Sequence, residues 1–222
     1  MTATGIAPVL HDRSSPRRFS ADHHLSDPDV AVLLEAARWA PSAGNSQPWA
    51  FHLRRRGDAG HAELVGHLAP SSRRWAPQAS ALVVNLAHRE VDDSGMEYSE
   101  FADYDLGQAV AHMTVQAHAM GLACRQFRAF DLDALHDHLH VAPGWHILTM
   151  TAIGVAAEDD NPVPRQRRSI TDLTTAAVTG SARPGGEEDT IVPPPRLLEA
   201  VARRRLGRGD PPVASGSSPT PG

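Results

Sequence analysis

With 222 residues, 41% of them hydrophobic and 21% charged, the chain carries enough apolar side chain for one globular core, which excludes both a wholly disordered chain and a transmembrane protein. A formal net charge of −5 gives no broad positive field to hold nucleic acid by counterion release. All 21 Lys or Arg residues are Arg, and Cys124 is the single cysteine, so lysine Schiff bases, phosphate-loop lysines, internal disulfides and multi-thiolate metal centres are excluded.

Met1 to Leu10 has neither a basic leader nor an apolar run, so we expect no targeting segment and a cytoplasmic protein. Ser26 or Asp27 can cap a helix that takes Pro28 into its first turn and places Val30, Leu33, Leu34 and Ala37 at helical spacing over about 28–40. Pro41 ends it. A polar loop then leads into the alternating run Trp49 to Leu53, which suits a strand. His61 to Leu68 reads as a short helix, and the apolar run Ser80 to Ala87 as a central strand. Tyr104 to Met120 sets Leu106, Val110, Met113 and Ala117 on one helical face, closed by Gly121 as a left-handed cap. A helix near Leu132 to Leu139 and a strand near His146 to Val155 complete an α+β or α/β sheet flanked by helices. We expect one domain over 10–178. A Pro/Gly-rich tail over 179–222 follows, with a short helix near 196–206 and a disordered end.

Three segments concentrate anion-binding or amide groups. Arg13-Ser14-Ser15-Pro16-Arg17-Arg18-Phe19 offers guanidinium forks and two hydroxyls that suit a phosphate, or else forms a solvated lead-in. Pro41-Ser42-Ala43-Gly44-Asn45-Ser46-Gln47-Pro48-Trp49 is a loop closed by proline at both ends, either a preorganised binding edge or a capped helix end with an Asx turn. Arg165-Gln166-Arg167-Arg168 adds phosphate charge or is an exposed basic loop.

These segments resemble the FMN-dependent nitroreductase family, whose R-x-S-x-R-x-F and P-S-x-x-N-x-Q-P-W patterns stand at Arg13 to Phe19 and Pro41 to Trp49. The resemblance continues through Ala117 to Leu122, Phe130-Asp131, Ile153-Gly154 and the downstream R-x-R. It implies a homodimeric α+β fold with a central mixed sheet flanked by helices, and two FMN sites at the dimer interface. Arg13 and Ser15, with Ser14 beside them, would hold the FMN phosphate, completed by Arg165 and Arg167; Arg17 would reach the ribityl chain or the ring's carbonyl edge. The partner would contribute Pro41, Ser42, Ala43 and Asn45, and Gln47 would face the flavin edge or fix the loop. The backbone of Arg128 and Ala129 would face flavin N5. The implied activity moves electrons from NAD(P)H to small planar acceptors such as nitroaromatics or quinones, with no catalytic side chain, because hydride passes directly between nicotinamide and flavin. Two alternatives stay open: an FMN-dependent oxidase or dehydrogenase of a specialised metabolite, and a flavin-binding protein without independent turnover.

His136 and His140 share a face if one helix carries both, yet no third ligand stands in sequence reach, so we expect no metal. His23-His24 reads as a solvated turn and Cys124 as a buried structural thiol at a strand start. Trp75 either walls a pocket or packs in the core or an interface. Beyond a second copy and a small-molecule substrate, neither nucleic acid nor membrane is expected as a partner.

Overall fold

A computed structural model describes residues 5–91, 96–97, 100–160 and 165–174. The chain divides into two units, residues 1–164 and 165–222. In the first, the helices are α1 (Pro8–Asp12), α2 (Asp27–Arg38), α3 (Ala59–Gly66), α4 (Pro70–Arg73), α5 (Ala102–Ala119) and α6 (Leu132–His138). The strands are β1 (Trp49–Arg55), β2 (Ala81–His88), β3 (Glu90–Val91), β4 (Met96–Glu97), β5 (Ala123–Phe127) and β6 (Trp145–Gly154).

Local chemistry sets the helix ends. At α2 the Ser26 hydroxyl accepts the Asp29 N–H at 3.2 Å while the Asp29 carboxylate accepts the Ser26 N–H at 2.9 Å, a reciprocal cap that fixes the start. Gly121, at φ +77°, ends α5 in the left-handed conformation that only glycine adopts freely, and the Leu122 N–H closes back onto the Ala117 carbonyl at 2.8 Å.

Four strands form one sheet in the order β1-β2-β6-β5, and β3 pairs with β4 in a separate two-stranded sheet. Every pairing among the described strands is antiparallel, where a mixed sheet was expected. The α+β class stands. β2 is buried along nearly its whole length because helices cover both faces. On one face Leu82, Val84 and Met150 pack with Leu64 of α3, Leu135 of α6, Phe19 and Phe130. On the other, Val83, Ile153 and Cys124 pack with Leu33 and Ala37 of α2 and Ala109, Met113 and Ala117 of α5.

Two histidine readings need correction. α6 stops at His138, and His140 lies beyond it at φ +48°, so His136 and His140 do not share a helical face. His23 is half-buried rather than solvated: Ser80 Oγ donates to its carbonyl at 2.9 Å and lies 2.9 Å from its ring Nδ1.

In the second unit Ser169 and Asp172 bracket a single turn, Thr171–Leu173, by side-chain and backbone hydrogen bonds between 2.8 and 3.3 Å. The tail expected over 179–222 and its helix near 196–206 lie outside the described residues. Among the described residues no helix is long and apolar enough to cross a membrane.

Candidate functional site

A cleft of about 620 Å³ runs along α5, a size ordinary for a small-molecule or cofactor site. One wall is the helix itself. α5 turns Ala109, Met113 and Ala117 to the sheet and presents Gly107, Ala111 and Val115 to the cleft at four-residue spacing. Opposite stand Leu10 of α1 and then Arg13 and Ser15, with Arg13 Nη1 3.5 Å from Ser15 Oγ.

The floor is polar. Thr114 donates its hydroxyl to the Val110 carbonyl at 2.7 Å, and its oxygen accepts from Gln126 Nε2 at 2.7 Å, which fixes how the Gln126 amide is turned. Thr149 lines the same floor. Behind it the fully buried Asn85 donates from Nδ2 to Thr149 Oγ1 at 3.0 Å and Thr151 Oγ1 at 2.9 Å, beside the register shift between β2 and β6. Among the lining residues Asp103 is the one carboxylate, and the Arg89 guanidinium engages both its oxygens. Cys124 is buried beneath the floor. Burial pushes its thiol up to about 12, against the opposing pull of the Thr114 hydrogen bond and the Arg13 charge, so it stays protonated and non-nucleophilic.

The loop from Pro41 to Gln47 is held by α5 from another side. The buried Asp105 accepts the Ala43 N–H at 3.0 Å, Gln108 Nε2 reaches the Pro41 carbonyl at 3.4 Å, and Ser42 Oγ accepts the Gln47 N–H at 3.0 Å. Gly44, Asn45 and Gln47 all have positive φ, at 57°, 56° and 49°. For Gln47 that conformation is strained and persists because the surroundings impose it. Its side-chain Nε2 donates to the Asn45 carbonyl at 3.3 Å. None of Pro41, Ser42, Ala43, Asn45 or Gln47 lines the cleft of its own chain.

Thus Arg13 and Ser15 share the cleft, while the other expected site residues lie elsewhere. Ser14 and Arg17 do not line it; Arg17 is exposed, and its N–H donates to the Asp160 carboxylate at 3.0 and 3.1 Å. Arg128 and Ala129 follow β5 outside the cleft. The Ala129 carbonyl accepts from Ala69 N and Ser72 Oγ, and the Arg128 guanidinium lies 4.6 Å over the Phe130 ring. Arg165 and Arg167 belong to the second unit, where both are exposed. Trp75 packs against Phe19, Phe127 and Arg125 rather than lining the cleft. Sequence reasoning missed Thr114 and Thr149 as floor residues. Thr114 carried a usable signal, a β-branched hydroxyl in the middle of an otherwise apolar helical face.

Residues 10–84 match the model of the nitroreductase family. The chain is 49% identical over 116 residues to a protein of Archaeoglobus fulgidus named provisionally as an NADH dehydrogenase/NAD(P)H nitroreductase. The match takes in 51% of the chain and 62% of that relative, so the chain spans about three fifths of the relative's length. A crystal structure from Desulfovibrio desulfuricans, described provisionally as a nitroreductase in complex with FMN, is 28% identical, with a TM-score of 0.63 over 76% of this chain and 96% of its own. An oxidoreductase containing FMN superposes with a TM-score of 0.72 at 24% identity, covering 84% of this chain and 96% of its own, which shows the shared fold.

Proposed function

We propose that the chain is an FMN-dependent oxidoreductase that takes electrons from NAD(P)H and passes them to small planar acceptors such as nitroaromatics or quinones. The observation that carries this reading is the cleft, where a fixed cation and a hydroxyl stand at one side, an apolar wall of Leu106, Gly107, Val110, Ala111 and Val115 lies along α5, and amide and hydroxyl groups make the floor. That donor set fits a ligand with an anionic end and a flat body bearing hydrogen-bonding edges. Arg13 and Ser15 would hold the phosphate by charge-assisted hydrogen bonds. Gln126 and Thr149 would meet polar groups of the ligand's body, and Gly107 and Ala111 leave room for a planar ring against the helix. Bound FMN supplies the hydride-accepting chemistry. No lining side chain is placed for general acid–base work: Asp103 is tied to Arg89, and Cys124 is buried and protonated.

A second copy of the chain completes the site in this reading. The strained, rigid Pro41–Gln47 loop does not serve its own chain's cleft, and Phe101 and Tyr104, at the start of α5, are 51% and 67% exposed. The test is NAD(P)H oxidation by the FMN-loaded protein with a quinone or nitroaromatic, against oxygen alone. Acceptor-dependent oxidation is expected. Oxidation that needs no added acceptor would favour an oxidase, and no oxidation with any acceptor would overturn the reading.

A further inference from the structure

The Arg13–Phe19 segment crosses β5, an edge strand of the sheet. Along β5, Cys124 and Gln126 face α5 and the cleft, whereas Arg125 and Phe127 face the aromatic cluster of Trp75 and Phe19. The segment begins on the first side, with Arg13 and Ser15 in the cleft, and ends on the second, where Phe19 packs against Trp75 and bridges to Ala156.

At the crossing point one peptide unit is gripped at both ends. Arg125 Nη1 donates to the Pro16 carbonyl at 3.2 Å, and the Asp160 carboxylate accepts the Arg17 N–H at 3.0 and 3.1 Å. The carbonyl of Pro16 and the N–H of Arg17 belong to the same peptide plane, so the two contacts together fix its orientation. Arg125 is itself fixed, its guanidinium 4.0 Å above the Trp75 ring. Asp160 and Arg17 both exert their charge on it, in opposite senses, in a site whose burial is the larger influence.

The backbone just upstream is stiff. Proline locks its own φ, and a residue before proline is confined to extended conformations, so Ser15 and Pro16 have little freedom left once the following peptide plane is held. We propose that Arg125 and Asp160 are positioning residues, which clamp the Pro16–Arg17 peptide and thereby hold Ser15 and Arg13 in register for a ligand phosphate. This rests on the reading of the cleft as a flavin phosphate site. Neither residue touches the cleft, and neither belongs to the motif that marks the segment.

The experiment compares FMN with riboflavin, which has the same ring and ribityl chain but no phosphate, by fluorescence titration of the 222-residue chain stripped of flavin. Wild type is expected to prefer FMN strongly. Arg125→Met should weaken FMN binding by about tenfold and change riboflavin binding less than about twofold, so that the preference for phosphate collapses. In an Arg13→Ala background the same substitution should add little, because the phosphate grip is already lost. Should Arg125→Met fail to fold, Asp160→Ala removes the other end of the clamp from a half-exposed position and should give the same phosphate-selective loss. Equal weakening of both flavins, or an unchanged FMN preference in either folded variant, would overturn the clamp while leaving the flavin site standing. Wild type that binds neither flavin, or both alike, would overturn the phosphate site and the clamp with it.

Discussion

Arg13 caps the C-terminal end of α1 and turns into the cleft beside Ser15. Its guanidinium cannot deprotonate at working pH, so whatever anion binds there meets a permanent charge. Arg13→Ala should weaken FMN by about ten- to a hundredfold, the loss of roughly 1.5–3 kcal/mol that a charge-assisted contact carries, measured by flavin titration. Unchanged affinity would show the assignment wrong. Asp105 supports the other motif. It is buried and takes the Ala43 N–H, so Asp105→Ala should lower stability by about 1–3 kcal/mol in denaturant melts and release the Pro41–Gln47 loop. The motif residues could be found in the sequence because each sits in a local pattern. Asp105 and Arg125 could not, since their roles arise from partners far along the chain, at Ala43 and Pro16.

β2 and α5 were legible because burial stamps a periodic pattern on them: an unbroken apolar run in one, a helical stripe in the other. β5 was harder. Its Ala-Cys-Arg-Gln-Phe sequence alternates neither in hydrophobicity nor in charge, because the Arg and Gln are consumed by tertiary contacts on opposite faces. The short helices α1 and α4 span five and four residues and depend on their surroundings more than on their own propensity. β6 ends against neighbours with no room to spare. A Cβ added at Gly154 would lie 2.9 Å from the Ser80 backbone nitrogen and 3.2 Å from Phe19 Cδ1. Gly154→Ala should therefore destabilise by about 1–3 kcal/mol, seen as a lower Tm, and should loosen Phe19 and the segment leading to Arg13. A Tm equal to wild type would show that Ser80 moves aside freely.

For the molecule as a whole, acid should be more damaging than mild base. His61 and His52 are both held below the usual histidine value, first by burial and then by neighbouring arginines, Arg56 and Arg54 respectively. The folded state thus binds fewer protons than the unfolded chain below about pH 6.5, and stability, full above that value, is lost as pH falls towards the lowered folded values. Tm measured from pH 8 down to pH 5 should be level and then decline below about 6.5, and His61→Leu should shallow the decline. A Tm that rises on acidification would contradict this. Light scattering of the flavin-loaded protein at micromolar concentration should give a dimer, and a flavin-loaded monomer would remove the second copy from the site. What the cleft holds is read most plainly from the flavin itself. The protein, reconstituted and freed of excess cofactor, should show the absorption of bound flavin, bleach when titrated anaerobically with NAD(P)H, and on heating release FMN that chromatography separates from FAD. Recovery of FAD, or of no flavin at all after reconstitution with FMN, would show that the cleft is not an FMN site.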